Sequence, residues 1–312
     1  MSERVNIDNF RAAETARMFD SFVAASSGVN RFTHFRAPTP VESQPVIRMN
    51  RDTLYSIAVV DISRGATLTV PDAGGRYLSV MAVNAEHYIN EVYREPGTHE
   101  ITMADHGTRF VALAARTFVD PADPDDVAAV NALQDQIGVT AVAEGPSEHP
   151  EFDEESLDAT RKALAKLGAG LSDATRSFGP KAEVEPTRHL IGTAVGWGGL
   201  PEHEAYYMIE AEPRPIGEYT ITLRDVPVDA FWSVSVYNRD GYFEPNPEGT
   251  FSVNSVTSEP EVDGSVVVNL SPEAGAENHI RIMDGWNYVL RLYRPRAEIL
   301  DGTWTAPTPQ PA

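Results

Sequence analysis

No cysteine occurs among the 312 residues, which removes both a disulfide framework and any thiolate chemistry. Positive charge is scarce. Lys and Arg number 25 against 46 Asp and Glu, a formal charge of −21, and only Lys162, Lys166 and Lys181 are lysine. A field of that sign repels phosphate backbones and anionic lipid, so neither a nucleic-acid nor a membrane partner is expected. There is no apolar run of the ~18 residues that a bilayer span needs. Met1 to Asp8 also lacks the apolar stretch of a signal peptide, and a cytoplasmic protein is expected. The missing lysines fit a GC-rich genome or a carboxylate-clad surface adapted to high salt, and neither bears on function. What is present is ordinary for a folded chain: 42% apolar residues, and length enough for one large or two medium domains.

Several catalytic signatures are missing as well. There is no Gly-x-Ser-x-Gly elbow and no P-loop, and Gly168-Ala169-Gly170 follows a helical stretch, so it reads as a helix terminator and not a dinucleotide fingerprint. His34, His87, His99, His106, His149, His189, His203 and His279 are scattered singly, with no His-x-His or His-Glu-x-x-His spacing. His87 and Glu91 would stand about 13 Å apart on a strand, too far to share one ion, and would meet only on a helical turn. No cofactor is evident, and a metal held by residues far apart in sequence stays open. Glu202-His203-Glu204, beside Pro201, reads as a solvated acidic loop.

The chain divides into three stretches. Asp8 to Ser27 has a helical period through Ala12, Ala16, Phe19 and Val23, stopped by Gly28. A polar connector over Arg36 to Pro45 leads into strand-like segments rich in β-branched and aromatic residues: Val46–Ile62, Ala66–Val70, Tyr77–Asn84 and Thr108–Val119. Asp123-Pro124-Asp125-Asp126 starts a helix whose buried stripe is Val127, Val130, Leu133 and Ile137, with Gly138 as its end. A second helix runs from about Glu154 to Leu167, with Leu157, Leu164 and Leu167 inward and Asp158 facing Lys162. Between them Glu144 to Asp153 reads as an exposed linker. After Trp197 come four Asp-Gly pairs, favoured in type I′ hairpin turns, among the strands Glu218–Val226, Phe231–Asn238, Ser265–Leu270 and Tyr288–Arg294. The expected fold is α+β and β-rich: an N-terminal mixed β domain (1–122), a helical connecting segment (123–196) and a C-terminal antiparallel jelly-roll-like sandwich (197–312). In Phe231–Asn238, Trp232, Val234 and Val236 share a core face. The other face, Phe231, Ser233, Ser235 and Tyr237, suits a half-exposed strand, a cleft or a subunit contact.

The densest polar constellation is Arg48-Met49-Asn50-Arg51-Asp52-Thr53-Leu54-Tyr55-Ser56. Seven of its nine side chains hydrogen-bond or carry charge, so if buried they must be networked or functional. Here a family becomes visible. Asn50-Arg-Asp-Thr-Leu-Tyr-Ser56, with Val70-Pro71 and Gly75-Arg76-Tyr77, resembles domain-of-unknown-function family 1254. Phe231-Trp-Ser-Val-Ser-Val-Tyr-Asn238, Gly241-Tyr242, Asp263-Gly264, Gly285-Trp286-Asn287-Tyr288, Arg291-Leu-Tyr-Arg-Pro295 and Leu300-Asp-Gly-Thr-Trp304 resemble its usual companion, family 1214. The resemblance covers most of the chain outside the middle helices and the ends. It implies a β-rich protein with a viral-capsid-like jelly roll in the C-terminal part, and no activity. Where the family carries an apolar, Pro-bearing run after Asn278, this chain has His279-Ile-Arg281-Ile-Met-Asp284.

Three functional readings follow. The first is an enzyme with hydrolase or lyase acid/base chemistry on a small organic, carboxylate-bearing molecule between the two β domains. In it His87 is the general acid/base, Arg51 orients an anion, and Asp52 and Tyr55 complete the catalytic set. Tyr88, Trp232, Tyr237, Tyr288 and Arg291 bind substrate, with Arg291 a second candidate for a carboxylate. The second is a non-catalytic small-molecule or glycan-binding module, because all four Trp and seven of the eleven Tyr lie beyond residue 196. The third is a homo-oligomer assembled through sheet faces.

Overall fold

The computed structural model describes residues 2–44, 47–143, 145–273, 275 and 277–312. Pro45, Val46 and Glu144, at the limits of the expected connector, first strand and linker, lie outside the described residues.

Helix α1 (Phe10–Ser26) is followed by β1 (Thr33–His34), β2 (Thr53–Asp61), β3 (Ala66–Val70), β4 (Leu78–Asn84), β5 (Ile89–Tyr93), β6 (Gly97–Ile101), the short α2 (Met103–His106) and β7 (Phe110–Phe118). Then come α3 (Pro124–Gln134), β8 (Gly138–Ala141), α4 (Glu154–Leu167) and α5 (Pro186–Gly196). Two sheets result, a five-stranded one in the order β1-β2-β7-β4-β5 and a three-stranded one in the order β6-β3-β8. Val60, Leu68, Val80, Ile101, Leu113 and Ile137 fill the space between them. The opposite face of the larger sheet is also covered: Val59, Met81 and Phe110 pack under Phe19 of α1, Phe178, Leu200, Phe231 and Tyr293. A sheet buried on both faces needs almost unbroken apolar strands. Accordingly β4 and β7 are buried throughout, and Tyr55 is the one position of β2 that is only partly buried.

Capping chemistry starts the middle helices where the sequence indicates. The Asp123 carboxylate accepts the Asp125 N–H (2.9 Å) ahead of Pro124, and Asp153 accepts the Ser156 N–H (2.9 Å). The details differ from expectation in three places. Helix α3 ends at Gln134, and Gly138 begins β8, which pairs with β3. Leu167, expected inward, is 71% exposed. Asp158 reaches Arg17 of α1 at 2.7 Å, tying the two helices, where Lys162 was its expected partner. No helix among the described residues is long and apolar enough to cross a membrane.

The C-terminal part comprises β9 (Ala205–Arg214), β10 (Tyr219–Leu223), β11 (Trp232–Tyr237), β12 (Ser252–Asn254), β13 (Val266–Ser271), β14 (His279–Arg281), β15 (Trp286–Tyr293), α6 (Ala297–Leu300) and β16 (Gln310–Pro311). Its two four-stranded sheets, β14-β13-β10-β16 and β12-β11-β15-β9, enclose a core of Trp232, Val234, Val268, Leu270, Trp286 and Leu290. All pairs are antiparallel except β13 with β14. The Asp-Gly glycines take left-handed φ of 87°, 81°, 76° and 77° at Gly241, Gly264, Gly285 and Gly302. Their aspartates do not, which rules out the type I′ geometry the dipeptide suggested. The fold class is α+β, as the composition and turn pattern indicated.

Candidate functional site

Strand pairing places the central groups. In the larger sheet Tyr55 of β2 stands directly opposite Arg116 of β7, and Arg116 opposite Ser79 of β4. By the two-residue period these share the face that carries Ile57, Val59, Met81 and Ala114. That face is incompletely covered, and a cleft of about 250 Å³ remains over it. Met18 and Phe22 of α1 form one wall, the segment 35–39 another, and Trp197 and Gly198 the third; Ile57, Met81 and Ala114 are its floor. Its polar border is short: Thr39, Asn50, Thr53, Tyr55 and Arg116.

Arg116 is 8% exposed, and its Cζ lies 5.4 Å from the centre of the Tyr55 ring. Nη2 donates to the Gly198 carbonyl at 2.5 Å, while Nη1 is buried with no partner. No carboxylate among the described residues pairs with it; the groups around it are the phenols of Tyr55, Tyr207, Tyr77 and Tyr293. Burial alone would raise the Tyr55 pKa. The Arg116 guanidinium, with Thr53 and Asn50, outweighs burial and holds the phenol below the usual tyrosine range.

His87 sits one layer behind the cleft. The Asn84 carboxamide folds its turn by accepting the N–H groups of Glu86 (3.0 Å) and Tyr88 (2.9 Å), leaving His87 at a left-handed φ of 66°. The Gly198 N–H donates to His87 Nε2 at 2.9 Å, so Nδ1 carries the proton and gives it to Thr193 Oγ1 at 2.8 Å. Thr193 in turn donates to the His189 carbonyl at 2.8 Å. The ring is wholly buried between His189 and Trp197, and burial, then the nearby His189 and Arg11, push its pKa well below that of ordinary histidine. Both nitrogens are thus occupied by scaffold, and His87 acts on the cleft only through Gly198. Tyr88 is stacked on His189 at 4.6 Å, also away from the cleft.

The remaining expected residues fall into two places. Trp232 and Tyr288 lie inside the C-terminal sandwich, 5% and 3% exposed, so with Trp286 at 0% they offer no stacking platform for a glycan. Tyr237 and Arg291 are on the other face of the same strands, pressed against the Arg48–Asn50 segment. Arg291 donates to Ser235 Oγ (2.9 Å), the Arg48 carbonyl (2.8 Å) and Tyr237 OH (2.8 Å), and Tyr237 donates to the Met49 carbonyl (2.7 Å). With its donors used in this way, Arg291 is a latch between the two parts of the chain. Asp52 is buried and accepts Ser252 Oγ–H at 3.1 Å. Arg51 donates to the Thr39 carbonyl and covers Phe251, its Cζ 5.2 Å from the ring centre.

Arg51 borders a second, outer hollow of about 400 Å³, the one lined from both sides by residues 120–122 and 248–258. Its lining mixes polar and apolar groups; Glu248 pairs with Arg281 at 2.6 Å, and Arg51 is partly exposed there. That pair gives the unusual His279-Ile-Arg281 segment a structural role. The smaller cleft, which holds the uncompensated guanidinium, carries no residue of the C-terminal sandwich on its border. Tyr55, expected in a pocket between the two β domains, lines this cleft instead, and Arg116 is not among the expected residues, although it is the sole charged residue of Phe110–Phe118. Glu204, expected in a solvated loop, is 2% exposed and pairs with Arg94 at 2.7 Å. Among the described residues no group of three or more His, Asp or Glu is placed to hold a metal ion.

Comparison with known proteins agrees with the two resemblances. Residues 29–141 match the family described as protein of unknown function DUF1254, and residues 211–297 the family described as protein of unknown function DUF1214. No curated protein matches the chain. Among solved structures it is similar to the VPA0106 protein from Vibrio parahaemolyticus, with 17% identity, 97% of each chain covered and a TM-score of 0.74. It is also similar to an uncharacterised protein from Burkholderia cenocepacia, with 16% identity, 97% of this chain and 86% of that one covered, and a TM-score of 0.56. At these identities the likeness is one of fold.

Proposed function

For a chain that carries the DUF1254 and DUF1214 modules in that order, we propose an enzyme that binds a small, mainly apolar organic molecule over the β2–β7–β4 face and moves a proton with Tyr55. One observation carries the reading: the Tyr55 ring lies beside the buried Arg116 guanidinium, across paired strands, at the border of a cleft whose walls are mainly apolar. Small-molecule sites have this composition, a hydrophobic enclosure with few convergent polar groups. The size is apt, since a cavity of about 150 Å³ already takes a benzene ring, and this one has about 250 Å³. In the reaction Tyr55 gives or takes the proton, Arg116 steadies the charge that develops beside it, and Met18, Phe22 and Trp197 keep water away. Hydrolysis and proton-transfer lyase chemistry both fit such a pair.

The test is a thermal-shift screen of small organic compounds on the purified protein, followed by product analysis of the hits with wild type and Tyr55→Phe. Hits should raise the Tm of both proteins, while turnover should fall by about 10²–10⁴ in the variant, the usual worth of one positioned acid or base. A screen without hits, or a variant with wild-type turnover, overturns the proposal.

A further inference from the structure

A buried cation without a counter-charge is a costly feature in a folded chain. Seventeen ion pairs join charged groups among the described residues, and a second buried arginine, Arg291, spends its donors on Ser235, Tyr237 and the Arg48 carbonyl. Among the described residues Arg116 has the Gly198 carbonyl on Nη2, nothing on Nη1 and no carboxylate, and it is only 8% exposed. Desolvating a guanidinium is expensive unless an anion or a full set of acceptors replaces the lost water. Four phenols are weak substitutes, and the protein nonetheless holds the group rigidly, through a Gly198 peptide whose N–H is itself fixed by His87. A planar fork of donors is the shape that pairs with a carboxylate.

We infer that the cleft is built for a monocarboxylate, its anionic head on Arg116 and its apolar remainder against Met18, Phe22, Met81 and Trp197. This inference rests on the cleft being a ligand site and adds the class of ligand. One effect opposes it: the net charge of −21 repels anions at long range. At physiological ionic strength that repulsion is screened within about 8 Å, whereas the guanidinium acts at contact in a poorly hydrated site. The local cation wins. A dicarboxylate or phosphate is disfavoured, because the border supplies one cation and its remaining polar side chains are the neutral Thr39, Asn50, Thr53 and Tyr55.

The experiment is calorimetric titration of the full chain with hexanoate and with hexanamide, in wild type and in Arg116→Gln. Wild type should bind hexanoate at least about tenfold more tightly than the neutral amide, and the substitution should erase the difference. The wild-type comparison needs no variant, so it decides the matter even if Arg116→Gln does not fold. Equal binding of the two compounds overturns the monocarboxylate inference and leaves the cleft as a ligand site. Preference for hexanoate that survives Arg116→Gln overturns it too, by placing the anion elsewhere. Binding of neither, together with an empty thermal-shift screen, removes the ligand site itself.

Discussion

At the scale of single residues, three polar side chains that sequence alone cannot distinguish have three different fates. Arg291 is consumed by the fold, Arg116 is left unpaired, and His87 is locked neutral. The last has a measurable consequence. An unfolded histidine titrates near 6.5, whereas His87, by burial and then by its His189 and Arg11 neighbours, titrates well below that in the fold. Between the two values the unfolded chain binds more protons than the native one. Its contribution to stability is therefore complete above pH 6.5 and is lost as pH falls toward the folded value. Denaturant titrations from pH 6.5 to 5 should show stability falling, with His87→Gln shallower by up to ~1.4 kcal/mol per pH unit. Equal slopes in the two proteins would show that His87 is not the buried neutral group described. His87 was chosen from sequence as an acid/base because its ordinary pKa is near neutral. Nothing local to it in the chain reveals Thr193 and Gly198, 106 and 111 residues away, which take both its nitrogens. Arg116 was more legible, since one charge in an apolar nine-residue strand marks either a network or a site.

At the scale of elements, what the chain disclosed was set by burial. Strands β2, β4 and β7 lie between two covered faces, so they had to be dense in apolar residues and could be read from composition, although β2 begins at Thr53, seven residues after the expected Val46. Strand β9 escaped notice because it edges its sheet and ends in Glu210, Glu212 and Arg214, and β8 because it is only four residues long and follows a helix. Helix α5 was missed too, its Pro186–Gly196 sequence having no clean polar and apolar division. Yet α5 delivers the turn that matters most: Gly198 bridges His87 and Arg116, and Gly199 follows. A Cβ at Gly199 would come within 2.3 Å of the Phe178 ring, which is itself buried against His87 and cannot swing aside. Gly199→Ala should therefore cost about 1–3 kcal/mol as overpacking, read as a lowered denaturation midpoint. An unchanged midpoint would mean that the turn carries no such constraint.

At the scale of the whole molecule, the two parts of the chain are joined by a wet-looking motif that turns out to be dry. The Arg48–Ser56 stretch reads as a substrate site because it is polar. Half of it instead welds to β11 and β15 through Arg291, Tyr237 and the Asn50–Tyr293 hydrogen bond of 3.0 Å. The outer face of Phe231–Asn238, read as cleft or subunit contact, is this internal seam. With Phe231 and Tyr293 also packed into the core on the larger sheet, separating the parts would expose several large apolar side chains at ~1.5–3 kcal/mol each. Two hollows remain, a more polar one beside Arg51 and a mainly apolar one beside Arg116, and burial distinguishes their guanidinium groups: Arg51 is partly exposed and Arg116 is buried. The most direct check is a crystal structure of the protein grown with hexanoate. Density for the carboxylate within hydrogen-bond distance of Arg116, its chain lying between Phe22 and Met81, is the expected result. Density beside Arg51, or a cleft closed by side chains with no ligand in it, would contradict the account.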